Sequence, residues 1–97
     1  MEKMTFEYQA SHTVKHRAHV GVVGSGDLEV LLEPSEDHSA HVTIRTSVDG
    51  FQATWKAVLD RFFQRYQQAA NIEINDSGAT PGVVMLRLAQ AVEESQA

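Results

Sequence analysis

The stretch Val42-Thr43-Ile44-Arg45-Thr46-Ser47-Val48-Asp49-Gly50-Phe51-Gln52-Ala53-Thr54-Trp55 holds the point at which the chain changes its periodicity. Up to Val48 the apolar residues Val42, Ile44 and Val48 fall on alternate positions with Thr46, the pattern of an extended segment with one face packed and one face wet. From Phe51 onward the apolar positions are Phe51, Trp55, Val58, Leu59, Phe62, Phe63 and Tyr66. That spacing aligns them along one face of a helix of about four turns, with Lys56, Asp60, Arg61 and Arg65 mostly off the stripe. Asp49 stands where a carboxylate caps the free N–H groups of a first helical turn. The aromatics of the stripe read as core, because a base-stacking platform keeps its rings exposed on a basic surface.

Moving outward toward the N-terminus, period two dominates. Phe6, Tyr8 and Ala10 form one alternating run, Val20 and Val22 a second, and Leu28, Val30 and Leu32 a third. The polar, proline-containing segment Glu33 to Ser39 reads as a loop. Toward the C-terminus, Ile72 and Ile74 alternate, Asp76 to Gly82 supplies a turn, and Val84, Leu86 and Leu88 alternate again. The alternation predicts a second hairpin, although Pro81 would also serve as the first residue of a helix. Ala89 to Glu94 is expected to form a short closing helix. The expected fold is α+β: a single-layer antiparallel β-sheet packed on one long amphipathic helix, with a short C-terminal helix. No repeat or linker divides residues 1–97, so one domain is expected.

Composition narrows the function. With 97 residues, 42% hydrophobic and 22% charged, the chain is too apolar for a disordered tail and too small for a deep two-domain cleft. Lys and Arg total 8 against 13 Asp and Glu, and the net charge of −5 points away from nucleic acid. The acidic excess lies mostly in residues 1–50, which suits basic partner surfaces and equally suits plain solubility. The absence of cysteine excludes disulfides, thiol nucleophiles and any thioester on the chain's own sulfur. No secretory h-region follows Met1, and no apolar run approaches a membrane span, so a cytoplasmic protein without membrane contact is expected.

The densest unusual feature is Gly24-Ser25-Gly26-Asp27, set between two predicted strands. Its glycines suit a tight primed hairpin turn, whose central residues need positive φ. They also leave the serine hydroxyl sterically open to another protein's active site. Ser25 is no autonomous nucleophile, since glycines adjoin it directly and the Gly-x-Ser-x-Gly elbow is absent. His12, His16 and His19 would share a face on a helix and hold a metal there, but between strands their spacing carries no such geometry. The acidic pairs Glu36-Asp37 and Glu93-Glu94 read as solvated charge, and no phosphate-binding glycine loop is present.

Gly24-Ser25-Gly26-Asp27-Leu28-Glu29-Val30-Leu31-Leu32-Glu33-Pro34 resembles the signature of the acyl carrier (delta) subunit of biotin-independent malonate decarboxylase. Thr46 to Gly50 ahead of the tryptophan-bearing helix, and Asp76 to Val84 followed by Leu86-Arg87-Leu88, agree with that family. The likeness spans nearly the whole chain; His12 to His19 and Ser35 to His41 match no fixed pattern. It implies a carrier without catalysis of its own, in which Ser25 bears 2'-(5''-phosphoribosyl)-3'-dephospho-CoA through a phosphodiester. A dedicated prosthetic-group transferase installs the group. An acyltransferase subunit exchanges acetyl for malonyl on its thiol, and a pair of decarboxylase subunits converts malonyl thioester to acetyl thioester and carbon dioxide. Gly24, Gly26 and Asp27 are the supporting loop, with Asp27 either capping the turn or contacting the modifying enzyme. A weaker likeness joins the chain to the acyl carrier subunit of citrate lyase. A prosthetic-group-free interaction module, docking through the acidic sheet edge or the 51–66 helix, is the reading from a different class.

Overall fold

In a computed structural model, which describes residues 1–97, the chain runs β1 (Glu2–Gln9), β2 (His12–Thr13), β3 (Ala18–Gly21), β4 (Asp27–Pro34), β5 (Ser39–Thr46), α1 (Gln52–Arg65), β6 (Gln68–Ser77) and α2 (Pro81–Gln96). The strands lie in the order β1-β5-β6-β4-β3, and β2 pairs with the start of β6. The class is α+β, as expected. The sheet is mixed, however, and this corrects the expectation of a purely antiparallel one. β1–β5, β3–β4 and β4–β6 are antiparallel, whereas β5 and β6 run parallel, with Val42 opposite Ile72 and Ile44 opposite Ile74.

The cause is the connection. A hairpin turn reverses the chain, but a helix between two strands carries it back before the second strand begins. The 14 residues of α1 cover about 21 Å, close to the about 26 Å of an eight-residue strand. β6 therefore starts at the same end as β5 and must run parallel to it.

Both helices cover one face of the sheet. Leu28, Val30 and Leu32 of β4, Val42 and Ile44 of β5, and Ile72 and Ile74 of β6 form one core with Trp55, Leu59, Phe62 and Phe63 of α1. Val84, Leu88, Ala91 and Val92 of α2 complete it. Tyr8 stacks on Phe63 with ring centroids 4.5 Å apart, and its hydroxyl donates to Asp60 Oδ1 at 2.6 Å, tying α1 to β1. Burial is the main cause that raises the Tyr8 pKa, followed by its bond to Asp60.

The segment expected as the last strand is helical. Thr80 Oγ1 accepts from the Val83 N–H at 3.3 Å and Pro81 occupies the first turn, so the start is capped and preset. Leu86 decides the phase. A strand would bury Val84, Leu86 and Leu88 together, but Val84 and Leu88 are buried while Leu86 is 57% exposed. The buried set Val84, Leu88, Ala91, Val92 and Ser95 has helical spacing. The C-terminal helix is consequently 16 residues long, longer than α1, and not short. The cap of α1 also differs: Phe51 is its N-cap and no side chain bonds there, while Asp49 pairs with the Met1 ammonium at 3.0 Å.

Candidate functional site

One end of the sheet gathers the start of β4, the end of β6 and the end of β3. There Asp27 lies opposite Ser77, and Gly21 opposite Glu29. β3 stops at Gly21, two residues earlier than its alternation suggests, so Val22 to Gly26 form a five-residue connection and not a two-residue one. Asp27 N–H donates to Gly24 O at 2.9 Å, closing a four-residue turn with Ser25 and Gly26 at its centre. Gly26 has φ +75° and Ser25 does not have positive φ. This pattern belongs to a type II turn, which needs glycine at its third position only, and not to the expected primed turn.

The turn is fixed at its base and open at its tip. Gly24 N–H donates to Val22 O at 3.0 Å, and Gly26 N–H to Ser77 O at 2.7 Å, which ties the tip to β6. These bonds are made by the residues flanking Ser25, and Ser25 itself is exposed. A Cβ built on Gly26 would meet nothing within 4 Å, and one on Gly24 only Val22 Cγ2 at 3.6 Å. The hydroxyl is therefore approachable from both sides.

Asp27 anchors the turn to α2. Arg87 Nε donates to Asp27 Oδ1 at 3.1 Å and Arg87 Nη2 to Oδ2 at 2.7 Å, a two-point pairing that fixes orientation as well as distance. The Leu28 N–H also donates to Oδ1, at 2.7 Å. The Arg87 guanidinium, helped by that amide, holds the Asp27 carboxyl below the usual carboxylate range, and the carboxylate raises the Arg87 pKa. Of the two readings of Asp27, these bonds give it a structural part in the turn.

Gly21 makes room for this pair. A Cβ there would lie 2.0 Å from Leu28 O and 3.3 Å from Arg87 Cδ, and its φ is +78°. Asp76, buried beside Ser77, fixes the neighbouring connection. It accepts from Thr46 Oγ1 at 2.8 Å, from the Gly78 N–H at 3.1 Å and from the Ala79 N–H at 3.0 Å. Next to it a cavity of about 300 Å³ opens between the N-terminal ends of α1 and α2. Its apolar wall includes Val48, Phe51, Trp55, Val58, Ala79 and Val84.

Gly24, Ser25, Gly26 and Asp27 thus come together as the sequence suggests, whereas the histidines separate. His12 contacts Ser11 Oγ at 3.0 Å, His16 contacts Glu94 O at 2.9 Å, and His19 pairs with Glu29 at 2.8 Å. None of these three histidines is bonded to Ser25. Sequence reasoning missed Gly21, Ser77 and Arg87. Taking Pro81 as a helix start was the available signal for Arg87, since Val84 and Leu88 then face the core and Arg87 lies beside them.

The model of a family described as "Malonate decarboxylase delta subunit (MdcD)" matches residues 15–95. The chain is 50% identical over 95 residues to a malonate decarboxylase acyl carrier protein of Pseudomonas fluorescens (strain SBW25), covering 97% of this chain and 96% of that one. It is 48% identical over 95 residues, with the same coverage, to the protein of that name in Azotobacter vinelandii (strain DJ / ATCC BAA-1303). Among solved structures it is similar to a chain in the crystal structure of a Pseudomonas malonate decarboxylase hetero-tetramer in complex with malonate. That likeness has a TM-score of 0.92 and 47% identity, covering 97% of this chain and 98% of that one.

Proposed function

The chain belongs to the malonate decarboxylase delta subunit family, and on that premise we propose that residues 1–97 form one acyl carrier domain whose attachment residue is Ser25. It is the acyl carrier subunit of malonate decarboxylase, a carrier and not a catalytic subunit. Such a carrier implies a covalently attached prosthetic group. The group proposed is 2'-(5''-phosphoribosyl)-3'-dephospho-CoA, linked through a phosphodiester to Ser25 Oγ. When bound, it supplies the thiol that this cysteine-free chain lacks, and that thiol holds acetyl or malonyl as a thioester.

One observation carries the assignment. Ser25 is exposed at the centre of a turn that is open on both sides yet bonded at its base to β6 and α2. The residues fit the group: the glycines leave the hydroxyl free to approach, and Asp27 with Arg87 fixes the direction in which the turn projects. In attachment, Ser25 Oγ bonds to the phosphorus of an activated donor. The donor's phosphate leaving group departs with its electron pair, and the serine proton passes to a base of the transferase. A group tethered at Ser25 would stay at high effective concentration for each partner active site.

The partners are the other subunits of a multi-subunit enzyme. They are proposed to be the acyltransferase subunit and the decarboxylase subunits, with the prosthetic-group transferase acting during assembly. No helix is long and apolar enough to cross a membrane, and cytoplasmic location is the proposed one. Reconstitution tests the assignment. Enzyme assembled with wild-type carrier should convert malonate to acetate and carbon dioxide, whereas enzyme assembled with Ser25→Ala should be inactive although its carrier is folded. Activity of the Ser25→Ala assembly would overturn it.

A further inference from the structure

Six large hydrophobic side chains are left exposed: Met1, Val22, Val23, Val48, Phe51 and Leu86. The topology puts the first five at the same end as Ser25. β1 begins there, β3, β5 and β6 finish there, and α1 begins there, as the pairings Glu2–Thr46, Thr46–Asp76 and Asp27–Ser77 require. The opposite end carries the polar loop around Glu36, Asp37 and His38, with none of the six.

The apolar residues are spread along one rim, with Gly26, Ser77 and Gly78 between Val23 and Val48. Val22 and Val23, 62% and 60% exposed, lie in the connection that bears Ser25. Gly26 bonds Ser77, and a Cβ on the next residue, Gly78, would lie 4.0 Å from Val48 Cγ2. Val48 and Phe51 then form the mouth of the cavity between α1 and α2. From the β4 end to the β5 end is two strand spacings, about 10 Å. An interface of common size, about 800 Å² per partner, covers that span.

The charged groups of this end are partly paired and partly held by local donors. The Met1 ammonium pairs with Asp49, Arg87 pairs with Asp27, Glu2 accepts from the Gly50 N–H at 2.9 Å, and Asp76 is buried on its three donors. Glu2 and Asp76 are held by uncharged donors, so these groups leave the end with a negative balance. The exposed side chains Val22, Val23, Val48 and Phe51 call for an apolar partner surface.

Resting on the assignment of Ser25, we infer that this apolar rim is the docking surface for the enzyme that makes the phosphodiester at Ser25 Oγ. Distance selects this partner. An enzyme bonding a phosphorus atom to Oγ must bring its own surface against Val22 and Val23. Enzymes that act on the far thiol are met at the length of the arm and need not touch this end.

The test is single-turnover and steady-state modification of the full chain by the purified transferase with its activated donor, followed by intact mass. Wild type should gain the mass and Ser25→Ala should not. If wild type gains nothing, the assignment of Ser25 fails and the docking surface fails with it. With wild type modified, Val22→Ser/Val23→Ser and Phe51→Ser should each lower kcat/KM by about tenfold or more, through KM, as expected for lost apolar contact. Glu36→Ser, at the far end, should leave it unchanged. Wild-type kinetics in both rim variants would overturn the docking surface while leaving the Ser25 assignment intact. A wild-type dimer that these same substitutions dissociate would also overturn it, by making a second copy the occupant.

Discussion

Gly21 and Gly26 share a left-handed backbone, with φ +78° and +75°, but differ in what a side chain would meet. At Gly26 a Cβ enters open space; at Gly21 it lies 2.0 Å from Leu28 O. Gly26→Ala should therefore cost about 1 kcal/mol, the penalty of the conformation alone. Gly21→Ala should cost at least about 2 kcal/mol, because the backbone must also shift. Urea unfolding of the two variants measures the difference, and equal costs would contradict it. The Asp27–Arg87 pair makes a prediction with a definite sign. Because the folded-state pKa of Asp27 is lowered, its contribution is present above the unfolded value and lost as pH falls through the folded one. The melting temperature of Arg87→Met should lie below wild type by a steady margin from pH 5 to 8, and the gap should narrow below about pH 4. A gap that stays constant into acid would show that the pairing contributes nothing.

At the scale of elements, α2 provides the sharpest test of phase. Leu88→Ala removes a fully buried side chain and should cost about 2–5 kcal/mol, whereas Leu86→Ser changes an exposed one and should stay within about 0.5 kcal/mol. Comparable losses in chemical denaturation would restore the strand. The residues explain why this helix was hard to read. Val84, Leu86 and Leu88 satisfy period two by coincidence over five residues, while Thr80 and Pro81 carried the correct start signal. The strands β1, β4 and β5 and the helix from Gln52 were legible because each presents its apolar positions with one sustained period, whereas β6 showed only Ile72 and Ile74 in alternation. The parallel pairing of β5 with β6 was implied by the order strand, helix, strand, yet no individual residue announces it. At the site, Gly24-Ser25-Gly26-Asp27 was legible because its residues are contiguous. Arg87, 60 positions from Asp27, was not, since only the docking of α2 brings the two together.

Across the whole molecule, the fold separates two kinds of surface. The helices bury one face of the sheet, the far end and the open face carry most of the acidic charge, and the end bearing Ser25 exposes apolar side chains beside two ion pairs. The lack of cysteine fits the proposed division of labour, in which a chain of 97 residues presents one turn to larger partners and the attached group brings the reactive sulfur. The most direct measurement is fragmentation mass spectrometry of the carrier taken from the assembled, active enzyme. The expected result is a single added mass, that of the phosphoribosyl-dephospho-CoA group, localised to Ser25. An added mass on any other residue, or active enzyme whose carrier bears none, would contradict it.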